Sequence, residues 1–528
     1  MPERFDAVII GSGFGGSVLA CRLAQAGRSV LVLERGRDWS PETYPSVTQD
    51  DWIYDVDEPE NQNGWIDMRI FPRMAVVQGA GVGGGSLIYA NVFIEPEDNA
   101  FDGGWPPEIT KDRLKPHFEA TGEMLAVQQL PDGQLTERFK LVREGAEKAG
   151  YGDRFRKLDL AVSFDEDWHY GLDDPHHTDK SKRFRNAQGC EQGTCIHCGN
   201  CDIGCPVQAK NTLDLNYLAE AKANGAEIRS LHLVRQLRAL TNGYLVSFDK
   251  VGDGGLEPGS VEGSEVYLAA GSLGSTELLL RCRDEHRTLP DLSAKLGYGW
   301  CSNGDFLTPT LYPGRTVSPT RGPTITGTIS FLDGAVDGQE FFVQDGGFPD
   351  LLGNAIENIG GENAMFQGFF AGIAQGVARL ARDCDPMTSL MPWFGQAVDR
   401  SVGRMKLGRK FFGLGDFELD LDWDPGPSED AVQALVDMHL KLSQATGGIP
   451  LVPPSWSLMK YLVTPHPLGG CNMGTSSADG VVDHRGRVFG YDGLYVVDGA
   501  AIPRAVGLNP SRTIAAIAEH IAAERLAA

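Results

Sequence analysis

The chain opens with two short apolar runs separated by a segment of helical periodicity. Residues Phe5–Ile10 read FDAVII, a short and β-branched run that predicts a buried strand. Apolar positions then recur at helical spacing over residues 17–27, and Gly27 closes the predicted helix. The next run, SVLVLE, predicts a second strand that ends in Glu34. Strand, helix and strand in this order are typical of a βαβ unit in a doubly wound sheet.

Two later segments repeat this pattern. Residues Glu265–Arg281 read EVYLAAGSLGSTELLLR, which predicts a strand, a Gly-Ser turn and a helix that begins near Ser275. Close to the end of the chain, the run LYVVD predicts a strand that ends in Asp498, and Asn509-Pro510 opens a final helix. We expect these elements to belong to the same sheet.

The middle of the chain has a different pattern. Residues 315–345 alternate in strand fashion between Gly, Pro and Asp turns, which predicts an antiparallel sheet. Residues 354–410 are richer in apolar side chains, and Met391–Phe394 add aromatic bulk. One apolar helix broken by glycines is predicted to contain Phe366, Phe369, Phe370, Ile373 and Leu380. Two interpretations stay open for this region: core packing, or a funnel, lid or contact surface for a hydrophobic ligand, a membrane or a partner.

The turn between the first strand and the first helix is rich in glycine. It reads GSGFGG and places Gly11, Gly13 and Gly16 where a tight turn lets a pyrophosphate approach the helix N-terminus. Glu34 lies 23 residues after Gly11, where an acidic side chain accepts hydrogen bonds from a ribose diol. The unit therefore predicts a dinucleotide site, with FAD and NAD both open at this point.

Two other segments suggest a ligand. Residues Gly79–Asn91 read GAGVGGGSLIYAN, and so many glycines favour a backbone that lies against a flat ring or a phosphate, although a surface loop is the alternative. His466 stands between Pro465 and Pro467, which restrict the backbone on both sides. A single histidine is more often a core residue than a catalyst, but this one lies in a rigid frame.

Taken together, these motifs resemble the glucose–methanol–choline (GMC) oxidoreductases, and within them the cholesterol-oxidase branch. The resemblance rests on GSGFGG with Glu34, GVGGGSL at Gly81–Leu87, Ala269–Arg281, HPLGG at His466–Gly470, and Gly493–Pro510, in the order of the family. It implies an α/β fold: a Rossmann-type FAD-binding domain with an interleaved α+β substrate domain that contains an antiparallel sheet. The expected FAD-binding domain is 1–40, 75–100, 210–310 and 460–528; the substrate or cap domain is 41–74, 101–189 and 311–459; and 190–209 form a Cys-rich loop.

The resemblance also assigns residues to a noncovalently held FAD. Glu34 is expected at the adenosine ribose, the Val234 backbone at the adenine, Gly83–Ser86 along the flavin and pyrophosphate, and Asp498 with Gly499 at the phosphates or ribityl chain. The full set expected at the cofactor is Gly11, Gly13, Phe14, Gly15, Gly16, Glu34, Arg35, Gly79, Gly83, Gly84, Gly85, Ser86, Val234, Ala270, Gly271, Asp498, Gly499, Asn509 and Pro510.

His466 and Asn509 match the catalytic pair of the family, which faces the substrate hydroxyl and the flavin. The implied reaction is oxidation of a hydrophobic alcohol, in which the hydroxyl loses a proton and the carbinol carbon loses a hydride to FAD. His466 acts as the base or orients the hydroxyl, and both roles stay open. Asn509 is expected to donate a hydrogen bond to the substrate oxygen.

The sequence departs from the steroid oxidases beside the flavin. Those enzymes carry Asn-Gly-Gly where this chain has Tyr89-Ala90-Asn91 after Ile88. Because bulk is added there, we carry over neither the steroid substrate nor rapid access of oxygen.

Ten cysteines include five within Cys190–Cys205. Cys195, Cys198, Cys201 and Cys205, followed by Pro206, have the C-x2-C-x2-C-x3-C-P spacing of bacterial ferredoxins and predict an iron–sulfur cluster, 3Fe-4S or 4Fe-4S. Cys190 is an alternative fourth ligand. The large subunits of flavin sugar dehydrogenases of this family, which hold a three-iron cluster, show a C-x5-C-x3-C-P spacing that Cys195, Cys201 and Cys205 also fit. Zinc and a metal-free thiol cluster are the other interpretations.

A cluster would relay single electrons from FAD to an acceptor protein or a quinone, which favours a dehydrogenase. The alternatives are an oxidase that forms hydrogen peroxide, an electron-transfer module without its own substrate, and an isomerase or lyase that keeps FAD.

The net charge limits the classes of binding partner, and the N-terminal sequence bears on the cellular location. Lys and Arg total 47 and Asp and Glu total 71, so the formal net charge is −24. This charge repels nucleic acid and anionic lipid, and we exclude both as partners. The N-terminus lacks the layout of a signal peptide, and no run of about 20 apolar residues suggests a transmembrane helix. We therefore expect a cytoplasmic protein.

Overall fold

The computed structural model describes residues 2–47, 49–252, 254–351, 385–400, 402–409 and 415–527. The predicted apolar helix with Phe366, Phe369, Phe370, Ile373 and Leu380 lies outside the described residues.

The secondary structure alternates between strands and helices in the first and last parts of the chain. The strands are β1 Glu3–Ile10, β2 Val30–Leu33, β3 Ile53–Tyr54, β4 Ile66–Phe71, β5 Met74–Gly79, β6 Gln128–Gln129, β7 Phe155–Lys157, β8 Asp159–Leu160, β9 Phe184–Arg185, β10 Glu191–Gln192, β11 Glu227–Arg229, β12 His232–Leu240, β13 Gly243–Gly252, β14 Gly255–Leu268, β15 Tyr298–Trp300, β16 Phe306–Leu311, β17 Gly327–Ser330, β18 Phe341–Asp345, β19 Leu390–Ala397, β20 Gly403–Arg409, β21 Phe417–Asp422, β22 Ile449–Pro450, β23 Leu462–Thr464 and β24 Leu494–Val496. The helices are α1 Phe14–Gln25, α2 Lys111–Met124, α3 Glu137–Lys148, α4 Tyr217–Ala223, α5 Gly271–Leu280, α6 Pro386–Ser389, α7 Glu429–Ala445, α8 Pro454–Ser457 and α9 Ser511–Ala527.

One seven-stranded sheet, which we call the central sheet, has the strand order β11-β2-β1-β14-β13-β12, and β24 pairs with β14. Strand β1 runs parallel to both β2 and β14, so the predicted Rossmann-type fold is confirmed. Ile10 pairs with Leu33 on one side and with Leu268 on the other. This register brings the residues that follow these strands, Gly11 and Glu34 among them, to one edge of the sheet.

The predicted antiparallel sheet is also confirmed. Its order is β22-β16-β19-β18-β17-β7, and each neighbouring pair is antiparallel. Phe394 in β19 pairs with Leu307 in β16 and with Gln344 in β18, so these three side chains share one face. Helix α7 covers the opposite face, where the hydroxyl of Thr308 lies 2.9 Å from Nδ1 of His439. We call this six-stranded sheet the cap sheet.

The aromatic run Met391–Phe394 therefore forms a central strand of the cap sheet. Trp393 is fully buried on the face covered by α7, as the core-packing interpretation requires. Phe394 points from the other face, which the next subsection describes.

A smaller sheet connects the two domains. Its order is β23-β5-β4-β3, with β23 parallel to β5 and β4 antiparallel to β5. Strand β23 ends at Thr464, two residues before His466, so this pairing sets the position of the Pro465–Pro467 turn.

Among the described residues, no helix is both long and apolar enough to cross a membrane.

Candidate active site

A cavity of about 1540 Å³ lies between the edge of the central sheet and the cap sheet. Typical small-molecule pockets measure about 300–1,000 Å³, so this cavity has room for a dinucleotide together with a substrate. Its wall includes the glycine turn after β1, the glycine loop at 79–90, and the open face of the cap sheet with Leu307 and Phe394.

Most of the predicted site residues line this cavity. They are Gly11, Gly13, Phe14, Gly15, Glu34, Arg35, Gly79, Gly84, Gly85, Val234, Ala270, Gly271, His466, Asp498, Gly499, Asn509 and Pro510. Gly16, Gly83 and Ser86 are predicted at the cofactor but lie behind the wall. Ser86 Oγ donates to the carbonyl of Gly83 and accepts from the Leu213 N–H, so it holds the loop in shape.

The glycines of the first turn have two different functions. A Cβ on Gly15 would lie 2.0 Å from the carbonyl oxygen of Val497, and one on Gly16 would lie 2.1 Å from that of Gly11. These two glycines allow helix α1 to pack against the sheet. A Cβ on Gly13, in contrast, would find its nearest heavy atoms at 4.0 Å, an ordinary van der Waals distance, and Gly13 lines the cavity.

The wall also carries helix N-termini. In the described part of the chain α1, α5 and α9 all begin at the cavity, with Phe14, Gly271 and Ser511 among the lining residues. The positive ends of these helix dipoles and their free N–H groups favour an anion. A pyrophosphate and an anionic flavin ring fit such a wall.

Glu34 lies at the cavity with its carboxylate held by the chain itself. Oε2 accepts from the N–H of Ser12 at 3.0 Å and from its hydroxyl at 2.6 Å, and Oε1 accepts from the Gly36 N–H at 3.0 Å. A carboxylate has about four acceptor positions, so it keeps capacity for one further hydrogen bond, from a ribose hydroxyl.

Asp498 is held in a similar way. Its carboxylate accepts from the N–H of Gly271 at 2.8 Å, the hydroxyl of Ser275 at 2.6 Å and the N–H of Ala500 at 2.9 Å. Burial raises the pKa of Asp498 to about 6. Asp498 thus caps helix α5, which begins at Gly271 and not near Ser275 as the sequence predicts, because the cap comes from a distant part of the chain.

His466 contacts a buried carboxylate that the sequence analysis missed. Its Nδ1 lies 2.7 Å from Oδ1 of Asp305, and the Thr464 hydroxyl donates to Oδ2 of Asp305 at 2.5 Å. The Asp305 side chain is 1% exposed. Asp305 precedes β16 of the cap sheet and lies 161 residues from His466, so no local spacing signals the contact.

Asn509 is held by the cap sheet as well. Gln344 Nε2 donates to Asn509 Oδ1 at 2.7 Å, and Asn509 lines the cavity, where its amide nitrogen can donate to a ligand. The ring of Phe394 lies 6.5 Å from the ring of His466, centroid to centroid. Both residues of the predicted pair thus line the same cavity, and each is held by a residue from another part of the chain.

The four cysteines of the ferredoxin spacing line one small space, which is called the enclosed space below. Cys195, Cys198, Cys201 and Cys205 all line it, whereas Cys190 does not. The backbone N–H of His197 donates to Cys195 Sγ at 3.4 Å, and that of Ala209 donates to Cys205 Sγ at 3.2 Å. Burial raises the pKa of Cys195 and, to about 12, that of Cys198.

This space lies directly behind the wall of the large cavity. Asp202 follows Cys201 and lines the large cavity, while Asn91 lines the small space and its neighbour Ala90 lines the large one. Lys210 Nζ donates to the carbonyls of Leu87 at 2.8 Å and Cys201 at 2.6 Å, and so ties the glycine loop to the cysteine loop.

A single-ion site is not formed by these side chains. In the residues that the structure describes, no three side chains of His, Cys, Asp or Glu are placed to hold one metal ion. The zinc interpretation gains no support from this geometry, and the iron–sulfur cluster stays a prediction.

Comparison with known proteins identifies the family. Residues 399–518 match the family model described as GMC oxidoreductase, and residues 9–57 match that of the NAD(P)-binding Rossmann-like domain. Over 554 aligned residues the chain is 30% identical to a cholesterol oxidase of Acinetobacter baumannii, covering 98% of this chain and 93% of that protein. The chain belongs to the GMC oxidoreductases, in their cholesterol-oxidase-like branch.

This GMC oxidoreductase is also 31% identical to a cholesterol oxidase of Mycobacterium tuberculosis, with 99% of this chain and 91% of that protein covered. Among solved structures it resembles pyridoxine 4-oxidase from Mesorbium loti, with a TM-score of 0.65 and 18% identity, over 99% of both chains. The family supports FAD as the cofactor, and the helix N-termini and the position of Gly13 at the cavity fit it.

Proposed function

We propose that this GMC oxidoreductase oxidises a hydrophobic primary or secondary alcohol to the aldehyde or ketone. The observation that carries the proposal is that His466 and Asn509 both line the cavity that the glycine loops also line. When bound there, FAD supplies the acceptor for the carbinol hydride. The residues of the chain act on the hydroxyl: His466 takes its proton or orients it, and the Asn509 amide donates a hydrogen bond to its oxygen.

The cap side of the cavity supports a hydrophobic substrate. Apolar side chains predominate where the cap sheet and the cysteine loop border it: Ile203, Leu307, Ile325, Leu351 and Phe394. Leu307 is 37% exposed, although it belongs to a sheet strand, because it faces this empty volume. An alcohol with an apolar body would cover these side chains and place its hydroxyl at His466.

The test is anaerobic mixing of the FAD-loaded protein with a panel of alcohols of increasing apolar size, while the flavin absorption is followed. We expect bleaching by medium and long alcohols, with apparent affinity that rises as apolar area is added, and none by the matching alkanes. A panel without any bleaching alcohol would contradict the proposed reaction.

For the electrons, we propose an exit through an iron–sulfur cluster to an external acceptor, a protein or a quinone. The four thiols around one buried space, the ferredoxin spacing and the N–H groups directed at two of the sulfurs support it. The shared wall between this space and the large cavity supports a short path. If bound, a cluster would supply one-electron transfer, and Cys195, Cys198, Cys201 and Cys205 would hold it.

Iron content and cysteine variants test the cluster. Protein purified without oxygen should contain three or four irons per FAD, and absorb near 400 nm beyond the flavin bands. We expect Cys201→Ser to lose most of the iron and the reduction of an added quinone, but to keep alcohol-driven flavin bleaching. Cys190→Ser is the matched control, because Cys190 lies outside the enclosed space, and it should keep its iron. Full FAD without iron would exclude the cluster.

The second candidate is an oxygen-reducing sterol oxidase. The reported relatives are named cholesterol oxidase, and this observation favours it. Against it, the side chains of Ile88 and Tyr89 stand at the cavity wall, and the Tyr89 hydroxyl donates to the Asn211 carbonyl at 2.8 Å, which holds the ring in place. Stoichiometric hydrogen peroxide from a sterol in air would favour the oxidase, and turnover with a quinone or dye in the absence of peroxide would favour the dehydrogenase. The cytoplasmic location stays a prediction.

A further inference from the structure

Asp305 is a buried carboxylate in contact with the imidazole of His466. It directly precedes β16, its side chain is 1% exposed, and one of its oxygens lies 2.7 Å from Nδ1 of His466. The Thr464 hydroxyl binds its other oxygen, and the same hydroxyl accepts the backbone N–H of His466 at 2.9 Å. Asp305 and His466 are therefore held in one geometry from both sides.

We propose that Asp305 sets the protonation pattern of His466 and thereby makes it the base of the reaction. The inference rests on the proposed function and deepens it, because the sequence leaves open whether His466 takes the hydroxyl proton or only orients the hydroxyl. Asp305 is a positioning residue, since it acts through His466 and does not itself line the cavity.

The argument follows from the hydrogen-bonding capacity of each group. An ionised carboxylate only accepts hydrogen bonds, so Nδ1 of His466 carries the proton of this contact. A neutral imidazole with its proton on Nδ1 has a lone pair on Nε2. Nε2 can then accept the proton of a substrate hydroxyl but cannot donate to the substrate oxygen. Donation to that oxygen is left to Asn509, whose amide oxygen is occupied by Gln344.

Charge adds to this arrangement. When Nε2 takes the hydroxyl proton, the imidazole becomes a cation next to the buried carboxylate, and the attraction stabilises the charge that develops. Among the described residues, Asp305 is the ionisable group in hydrogen-bond contact with His466. A second buried carboxylate, Asp399, binds Ser302. It accepts hydrogen bonds from the Ser302 N–H at 2.9 Å and from the Ser302 hydroxyl at 2.8 Å.

The decisive variant is Asp305→Asn in the FAD-loaded enzyme. The amide has the same size, but its NH₂ group can donate to Nδ1 and so move the imidazole proton to Nε2. We expect FAD to stay bound and flavin reduction by alcohol to slow by about ten- to a hundredfold, a part of the contribution that general-base catalysis makes. The pH dependence of reduction should flatten, which the loss of a purely structural contact would not cause.

Two further variants separate catalysis from stability. Asp399→Asn changes a carboxylate that is also buried and holds Ser302, and it should lower Tm while the pH dependence of reduction keeps its wild-type shape. Thr464→Val keeps the Asp305 carboxylate and should slow reduction only a few-fold. Asp305→Glu restores the acceptor and should regain the pH dependence, although not the full rate.

A measurement independent of turnover distinguishes this inference from the proposed function. In histidine-labelled holoenzyme, the ¹⁵N shifts of the His466 ring, recognised by their loss in His466→Ala, report which nitrogen carries the proton. We expect the Nδ1–H form in the wild type and the Nε2–H form in Asp305→Asn. An Nε2–H form in the wild type, or wild-type rate and pH dependence in Asp305→Asn, would overturn the role of Asp305, whether or not a bleaching alcohol is known.

Discussion

Replacing His466 by alanine should leave FAD bound and slow flavin reduction by about 10²- to 10⁴-fold, the range expected when a general base is removed. Binding of FAD should persist because the positions proposed for it lie in glycine turns and at helix N-termini, which His466 does not form. Stopped-flow mixing with the best alcohol, without oxygen, measures the reduction step separately from reoxidation.

The matched control is His177→Ala, at an exposed position outside the cavity wall, which should keep the wild-type rate. Addition of an exogenous base such as imidazole provides a second check, since the base should partly restore flavin reduction in His466→Ala. If the variant reduces its flavin as fast as the wild type, His466 has no role in the proton step.

A second pair of large effects is expected at Gly13 and Gly15, where substitution should weaken FAD binding in one case and fold stability in the other. Gly13→Val should weaken FAD binding by about a hundredfold while the apoprotein stays folded, because a Cβ there would find its nearest heavy atoms at 4.0 Å and Gly13 lines the cavity. Gly15→Ala should destabilise the fold by about 3 kcal/mol, because its Cβ would meet the Val497 carbonyl at 2.0 Å. FAD titration of the apoprotein and thermal unfolding of the same samples measure the two effects separately.

Gly27→Ala serves as a further comparison. A Cβ there meets nothing within 4 Å, but the residue has a φ of 77°, so the cost is backbone strain alone, about 1 kcal/mol. Equal losses of FAD affinity at Gly13 and Gly15 would show that both positions act through folding, and would remove the distinction between a binding glycine and a packing glycine.

The elements of the central sheet follow from short-range pattern. Strand β1 and helix α1 lie where the apolar spacing predicts them, within a few residues at their ends. The start of α5 differs because its capping carboxylate, Asp498, is 227 residues away from the Gly271 N–H it binds. A helix boundary set by a distant residue leaves no signature in the local sequence.

The cysteine loop shows the same division. Spacing alone predicts a cluster but leaves Cys190 and Cys205 as alternative fourth ligands. The fold places Cys205 at the enclosed space and Cys190 outside it, because β9 and β10 form a hairpin that carries Cys190 away. The proposed electron path is short because this loop lies behind the Tyr89–Asn91 segment. No sequence motif indicates that position.

The sequence by itself predicted the Rossmann-type unit and the glycine turns, because strand periodicity and glycine conformation act over a few residues. The candidate pair His466 and Asn509 came from the resemblance to the family. Only the tertiary structure decided what those two side chains can do. Asp305 lies 161 residues from His466 and Gln344 lies 165 residues from Asn509, and both partners come from the cap sheet. Which atoms of His466 and Asn509 donate and which accept hydrogen bonds depends on partners from distant segments. The periodicity within one segment does not encode such contacts.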